Sequence, residues 1–234
     1  MPTDRLSVVL AAMADLDGSP SVLDRVCRAA VSLLSLSGAG VSLIVDGELR
    51  GTAGVSESGV AAVQELQLLL GEGPCVDAWR LGEPVLEPDL TNGGLRRWPA
   101  FAKSALDSGV LAVFALPLAL GAIRIGVLVL YRDQSGGLSA DQLATGLLLA
   151  EAATQVILGL QAGAAPDQLH RLLASEPGHW SQIHRATGIV AAQLDVSLDQ
   201  AFVRMRAHAF ASGRPLGDIA DEVIARRLRL EETP

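Results

Sequence analysis

The side chains with most capacity for metal or nucleophilic chemistry are four histidines, His170, His179, His184 and His208, and two cysteines, Cys27 and Cys75. Their spacing does not organise that chemistry. No two histidines stand four residues apart with a carboxylate between them, as a zinc-hydrolase helix requires, and the cysteines form no Cys-x-x-Cys pair. The one lysine, Lys103, follows no glycine-rich loop, so a phosphate-binding P-loop is absent. Gly71-Glu72-Gly73 runs into Pro74 and lacks the third glycine of a dinucleotide fingerprint, and no Gly-x-Ser-x-Gly elbow presents a serine. The expectation is a protein that is not an enzyme. No motif selects a cyclic nucleotide, a tetrapyrrole or a metal, so the cofactor is unknown. Unpatterned cysteines fit a reduced, cytoplasmic chain.

Half of the 234 residues are hydrophobic and mean hydropathy is +0.36, ample material for a packed core. Aromatic residues make up 3%, so that core is aliphatic and broad base-stacking surfaces are excluded. A net charge of −8 and a pI near 5.0 exclude a nonspecific polyanion binder. Two apolar stretches bear on membranes. The segment from Leu6 to Ala14 lacks a basic leader and repeats Leu6, Val9, Leu10 and Met13 at helical spacing, which predicts an amphipathic helix. The segment from Val110 to Tyr131 is interrupted by Pro117, Gly121 and Arg124, and its halves, Val110–Leu118 and Ile123–Tyr131, read as buried strands. No membrane partner is expected.

These elements sit in an alternating pattern. Ser19-Pro20 opens a helix with the apolar face Val22, Val26, Ala30, Leu33 and Leu34. Val41–Val45 and Leu49–Ala53 flank an Asp46-Gly47 hairpin turn. Val60, Val63, Leu66 and Leu70 mark a helix that stops at Gly71; a short helix follows near Cys75–Trp79, then a strand at Pro84–Glu87 and a helix at Pro99–Asp107. After the two apolar strands, Ser139-Ala-Asp-Gln142 is a capping box opening a long helix to about Leu160. Leu143, Leu147, Ala150, Thr154, Ile157 and Leu158 line one side of it and its other faces are also apolar, which predicts a homodimer.

Gly163-Ala-Ala-Pro166 breaks the pattern, giving domains at 1–162 and 171–234 joined by a linker at 163–170. The first 165 residues carry 10 basic and 17 acidic side chains and the remainder 8 and 9, so the acidity belongs to the first domain. The second reads as three short helices. Ile183, Ala186, Val190 and Leu194 share a face, leaving His184, Arg185, Thr187, Gly188 and Ala191 turned away. Ser197-Leu-Asp-Gln200 is a capping box before Ala201, Phe202, Met205 and Ala209; Gly213 stops that run, and Pro215 opens a helix striped by Leu216, Ile219, Ala220, Val223, Ile224 and Leu228.

Leu70-Gly-Glu-Gly-Pro-Cys-Val-Asp-Ala78, Pro84-Val-Leu-Glu-Pro-Asp89, Arg97-Trp-Pro-Ala-Phe101 and the paired apolar strands together resemble a GAF domain of the bacterial regulatory type. Ala186-Thr-Gly-Ile-Val190, Ser197-Leu-Asp-Gln-Ala-Phe202, Arg206, Ala209, Arg214-Pro-Leu216, Ile219 and Ala220 resemble an ANTAR domain, the RNA-binding module of transcription antitermination regulators. The implied fold is α+β, a GAF-like antiparallel sheet flanked by helices, followed by an all-α three-helix bundle. The implied function is a sensor that controls binding to paired RNA stem-loops. Its RNA-binding candidates are His184, Arg185, Thr187, Gly188, Arg204, Arg206 and Arg214; Gly71, Gly73 and Cys75 are candidates for a small-molecule site in the GAF domain. Many ANTAR domains carry lysine where this chain has Thr187.

Each candidate also has a plain structural account. Ala186 and Gly188 suit close helix packing, arginines are often solvated or ion-paired, and Arg226 can pair with Glu222 at i, i+4. Trp180 and Cys75 suit packing, and the Gly71–Gly73 turn suits a helix end. Three classes of function stand: an RNA-binding antitermination regulator, a ligand- or partner-binding regulator whose bundle no longer binds RNA, and an enzyme that no motif supports.

Overall fold

A computed structural model describes residues 8–9, 11–12, 21–45, 48–121, 123–163, 179–214 and 216–230. The chain divides into two compact units, Met1–Ala164 and Ala165–Pro234.

In the first unit α1 (Val22–Leu34) precedes the hairpin β1 (Gly38–Val45) and β2 (Glu48–Val55), then α2 (Ser58–Leu70), α3 (Pro74–Leu81), β3 (Val85–Glu87), α4 (Pro99–Asp107), β4 (Ala112–Leu120), β5 (Ile123–Arg132) and α5 (Ala140–Gly163). The five strands form one sheet in the order β2-β1-β5-β4-β3, with every neighbouring pair antiparallel. The α1 cap differs from the expected Ser19-Pro20, which lies outside the described residues: Ser21 Oγ accepts from Asp24 N at 3.0 Å. Most of the expected N-terminal helix, and the Asp46-Gly47 turn, also lie outside them. Val45 pairs with Glu48, the register a two-residue turn demands.

The largely apolar makeup of β4 and β5 follows from coverage on both faces. Val113, Ala115, Val127, Val129 and Tyr131 pack with Val60, Cys75, Trp98 and Phe101 from the α2–α4 layer. The alternate residues Leu116 and Leu130 meet α5 at Gly146, where an added Cβ would stand 3.0 Å from Leu116. Residues 140–160 make one helix long and apolar enough to cross a membrane. Its face of Leu149, Ala150, Ala153, Thr154 and Ile157 is buried, and the helix packs on α1, β4 and β5, so it is a core helix of this unit. That burial identifies the side taken by the domain's own core: Ala150, Thr154 and Ile157 of the side read from the sequence, together with Leu149 and Ala153.

In the second unit α6 (His179–Leu194), α7 (Leu198–Ser212) and α8 (Leu216–Ile224) pack against one another. Ile183, Ala186 and Val190 bury against Ala201, Met205 and Ala209 and against Leu216, Ile219, Ala220 and Val223. Ser197 and Gln200 form the expected capping box. Leu228, expected on the third helical stripe, lies beyond the end of α8.

Candidate functional sites

The Gly-Glu-Gly-Pro-Cys run ties three helices of the first unit together. Gly71 ends α2 and Gly73 opens α3 at φ 130°, a conformation only glycine adopts without strain; a Cβ there would also collide with Gln67. Glu72 reaches across to α4, whose N-cap is Trp98 and whose first residue, Pro99, has no amide hydrogen. Its Oε1 accepts from Ala100 N at 2.8 Å and Phe101 N at 2.9 Å. Asp77 accepts from Trp98 Nε1 at 3.0 Å and from Arg97 at 3.1 Å, and the Arg97 guanidinium lies 4.3 Å above the Trp98 ring. The two sequence motifs therefore recognise each other. Gly71 and Gly73, expected in the wall of a ligand pocket, have packing roles here, as does Cys75, which is buried in the core.

Beneath that lock lies a buried polar cluster that sequence reasoning missed. Gln64 and Gln67, one turn apart on α2, are 2% and 0% exposed. Gln64 Nε2 donates to Ser42 Oγ at 2.8 Å, Gln67 Nε2 donates to the Tyr131 hydroxyl at 3.2 Å, and Gln67 Oε1 accepts from Cys75 N at 2.7 Å. Gly40 on β1 makes room, since a Cβ there would overlap the Gln64 amide. Burial pushes the Cys75 thiol up to about 12, against an opposing hydrogen bond with Ser42, and lifts Tyr131 and Cys27 as well. Among the described residues Gln64 Oε1 has no hydrogen-bond partner. The cluster is neutral and offers no nucleophile paired with a base, and among the described residues no group of histidine, cysteine and carboxylate could bind a metal. The signal was available, as two glutamines at i, i+3 on the core face of an apolar helix.

On the second unit the expected RNA-binding residues separate. Arg185 is exposed and Gly188 half-buried, with nothing within 4 Å of a Cβ built on it. Thr187 is not on that surface. It is 4% exposed, its hydroxyl donates to Ile183 O at 2.7 Å, and Met205 Sδ lies 3.7 Å away. One residue along a helix turns the side chain by about 100°, which carries position 187 into the α7 contact. Arg214 is held by Glu222 in a two-point ion pair at 2.9 and 3.1 Å, which lowers the Glu222 pKa and raises that of Arg214. Glu222 is therefore taken by Arg214 and not by Arg226, the expected partner. Arg206 lies 5.9 Å from the Phe202 ring centroid, and Arg204 is half-buried, its Nη1 without a partner among the described residues. The side chains of His184 and Trp180 lie outside the described residues.

A central antiparallel sheet between two helical layers, followed by a separate three-helix unit, makes a modular protein of two units. A GAF domain model matches residues 18–158 and an ANTAR domain model residues 178–224. The chain belongs to the GAF family and is a GAF and ANTAR domain-containing regulator. No curated protein matches it by sequence. Among solved structures it is similar to the GAF domain of a phosphoenolpyruvate-protein phosphotransferase from Coxiella burnetii (16% identity, TM-score 0.52, 69% of this chain and 97% of that one). It is also similar to the corresponding Acinetobacter domain (14%, TM-score 0.51, 69% and 96%) and to the GAF domain of the cyanobacteriochrome TePixJ (17%, TM-score 0.50, 64% and 95%). At these identities the likeness shows the fold of the first unit.

Proposed function

We propose that the protein is a cytoplasmic, homodimeric RNA-binding antitermination regulator whose GAF domain senses a signal and whose ANTAR domain binds RNA stem-loops. The observation that carries this reading is the ANTAR match over residues 178–224, which coincides with the packed bundle of α6 to α8. Arg185 and Gly188 suit RNA contact, since a cation beside an uncovered stretch of helix lets a loop approach closely. Arg204 and Arg206 are further cation candidates, and Arg214 reaches RNA only by leaving Glu222. For the first unit, the partnerless Gln64 Oε1 supports a small ligand that donates a hydrogen bond inside the polar cluster.

The test is filter binding of the full chain to tandem hexaloop hairpins, with duplex RNA as control. Binding should fall modestly with salt, because few cations per site release few counterions. Replacing Gly188 with leucine should weaken it by excluding the loop. A folded parent that binds no hairpin favours the second reading, a regulator whose bundle no longer binds RNA. Thr187 supports that alternative: where many ANTAR domains carry lysine, this chain has a buried hydroxyl.

A further inference from the structure

Arg214 is the one basic residue in the connection between α7 and α8, and the fold gives it to a carboxylate. Its backbone is fixed from both sides. Gly213 closes α7 in the left-handed region at φ 64°, Arg214 N donates to Ala209 O at 3.1 Å, and α8 begins at Leu216. With the backbone held, the guanidinium alone can change partners. It meets Glu222 in two-point contact, Nη2 to Oε1 at 2.9 Å and Nη1 to Oε2 at 3.1 Å. Asp218 stands four residues before Glu222, on the same side of α8, and adds its negative charge to the field of Glu222 at Arg214. The Arg214 and Glu222 side chains keep 40% and 30% of their surface exposed, so dissolved anions can reach the pair.

Two properties let this contact open. A guanidinium offers the same planar fork to a carboxylate and to a phosphate, so an Arg214 that holds Glu222 with both Nη atoms is withheld from a phosphate. Glu222 also keeps counter-charges when Arg214 leaves. After the hydrogen bond and charge of Arg214 itself, Arg227 and His208 favour the ionised form of Glu222. Water and salt screen an ion pair exposed to this degree, and opening it costs little.

We propose that the Arg214–Glu222 contact is an autoinhibitory latch: Glu222 occupies the arginine in the free protein, and the bundle gains one phosphate contact when that carboxylate is displaced. The inference rests on the RNA-binding reading above and concerns its regulation. A latched Arg214 adds no attraction for a polyanion, in keeping with the 8 basic and 9 acidic side chains beyond residue 165.

The experiment measures the affinity of the full chain for tandem hexaloop hairpins against salt, together with the melting temperature. The proteins are the parent, Glu222→Gln, Arg214→Ala, the double variant and Asp221→Asn. Glu222→Gln keeps the shape of the side chain and removes the competing charge. Binding should tighten roughly 2–5-fold at low salt, the range a screened ion pair spans, and the salt slope should steepen by about one unit. Arg214→Ala should change parent binding by less than about twofold, because the arginine is already occupied, yet abolish the whole gain in the Glu222→Gln background. Asp221→Asn removes the same charge from α8 outside the pair and should tighten binding less. A parent that binds no hairpin beside a Glu222→Gln protein that does would support the latch most directly. A contact that serves only to hold α7 to α8 gives the opposite sign: Glu222→Gln then lowers the melting temperature and weakens binding, which overturns the latch. An Arg214→Ala loss equally large in both backgrounds overturns it too, as does an Asp221→Asn gain as large as that of Glu222→Gln. A binding parent with no gain from Glu222→Gln sinks the latch alone; if neither protein binds hairpins, the RNA reading itself fails.

Discussion

Replacing Glu72 with alanine should loosen the first unit at one helix end. Glu72 accepts from the amides of Ala100 and Phe101, the second and third residues of α4, at 2.8 and 2.9 Å. The helix has no cap of its own, because Trp98 at the N-cap position offers no side-chain oxygen. A hydrogen bond to a charged group contributes about 1.5–3 kcal/mol when well made, and losing an N-cap costs about 0.5–2 kcal/mol. Glu72 is half-buried, so water replaces part of what is lost, and Phe101 N, on a buried residue, is the amide least easily rehydrated. The expected cost is about 2 kcal/mol, or about 4–8 °C in melting temperature for a unit of this size. Glu72→Gln keeps an acceptor oxygen without the charge and should recover about half. Urea titration followed by circular dichroism gives the free energy, and hydrogen exchange should show the loss first at Ala100 and Phe101. A Glu72→Ala protein within about 0.5 kcal/mol of the parent would refute the remote cap, and so would faster exchange spread evenly over the unit.

Two further outcomes follow from burial. The thiol of Cys75 sits at about 12 and that of Cys27 is raised too, whereas an exposed thiol ionises near 9. Folded values above the unfolded one mean that stability is intact below about pH 9 and falls as pH rises towards the folded values, by about 1.4 kcal/mol per pH unit for each thiol; urea midpoints between pH 8 and 10.5 test this, and a flat profile contradicts it. On α5, Leu147 is 44% exposed, and Leu143, Leu148, Val156, Leu158 and Leu160 are half-buried. Light scattering should give about twice 24.3 kDa, with Leu147→Glu returning the monomer; a parent of 24.3 kDa at micromolar concentration rules the dimer out.

Local rules made much of the architecture legible in the amino-acid sequence. Hydrophobic period, capping boxes at Ser139 and Ser197, and the stops at Gly71 and Gly213 act within one or two helical turns, so the order of helices and strands followed from neighbours alone. The family motifs named the two domains for the same reason. What the motif residues do was decided only by tertiary structure. Glu72 finds its partners at Ala100 and Phe101, and Asp77 finds Arg97 and Trp98, after the sheet has brought distant segments together. The buried pairing of Gln64 with Ser42 and Gln67 with Tyr131 is equally long-range. In the second unit, helical phase places Thr187 inside and Gly188 beside open space, and the choice of Arg214 over Arg226 by Glu222 depends on where the α7–α8 turn sets the guanidinium. Periodicity tells which face of a helix is apolar. Which cation a carboxylate takes depends on distances that only the packed chain sets.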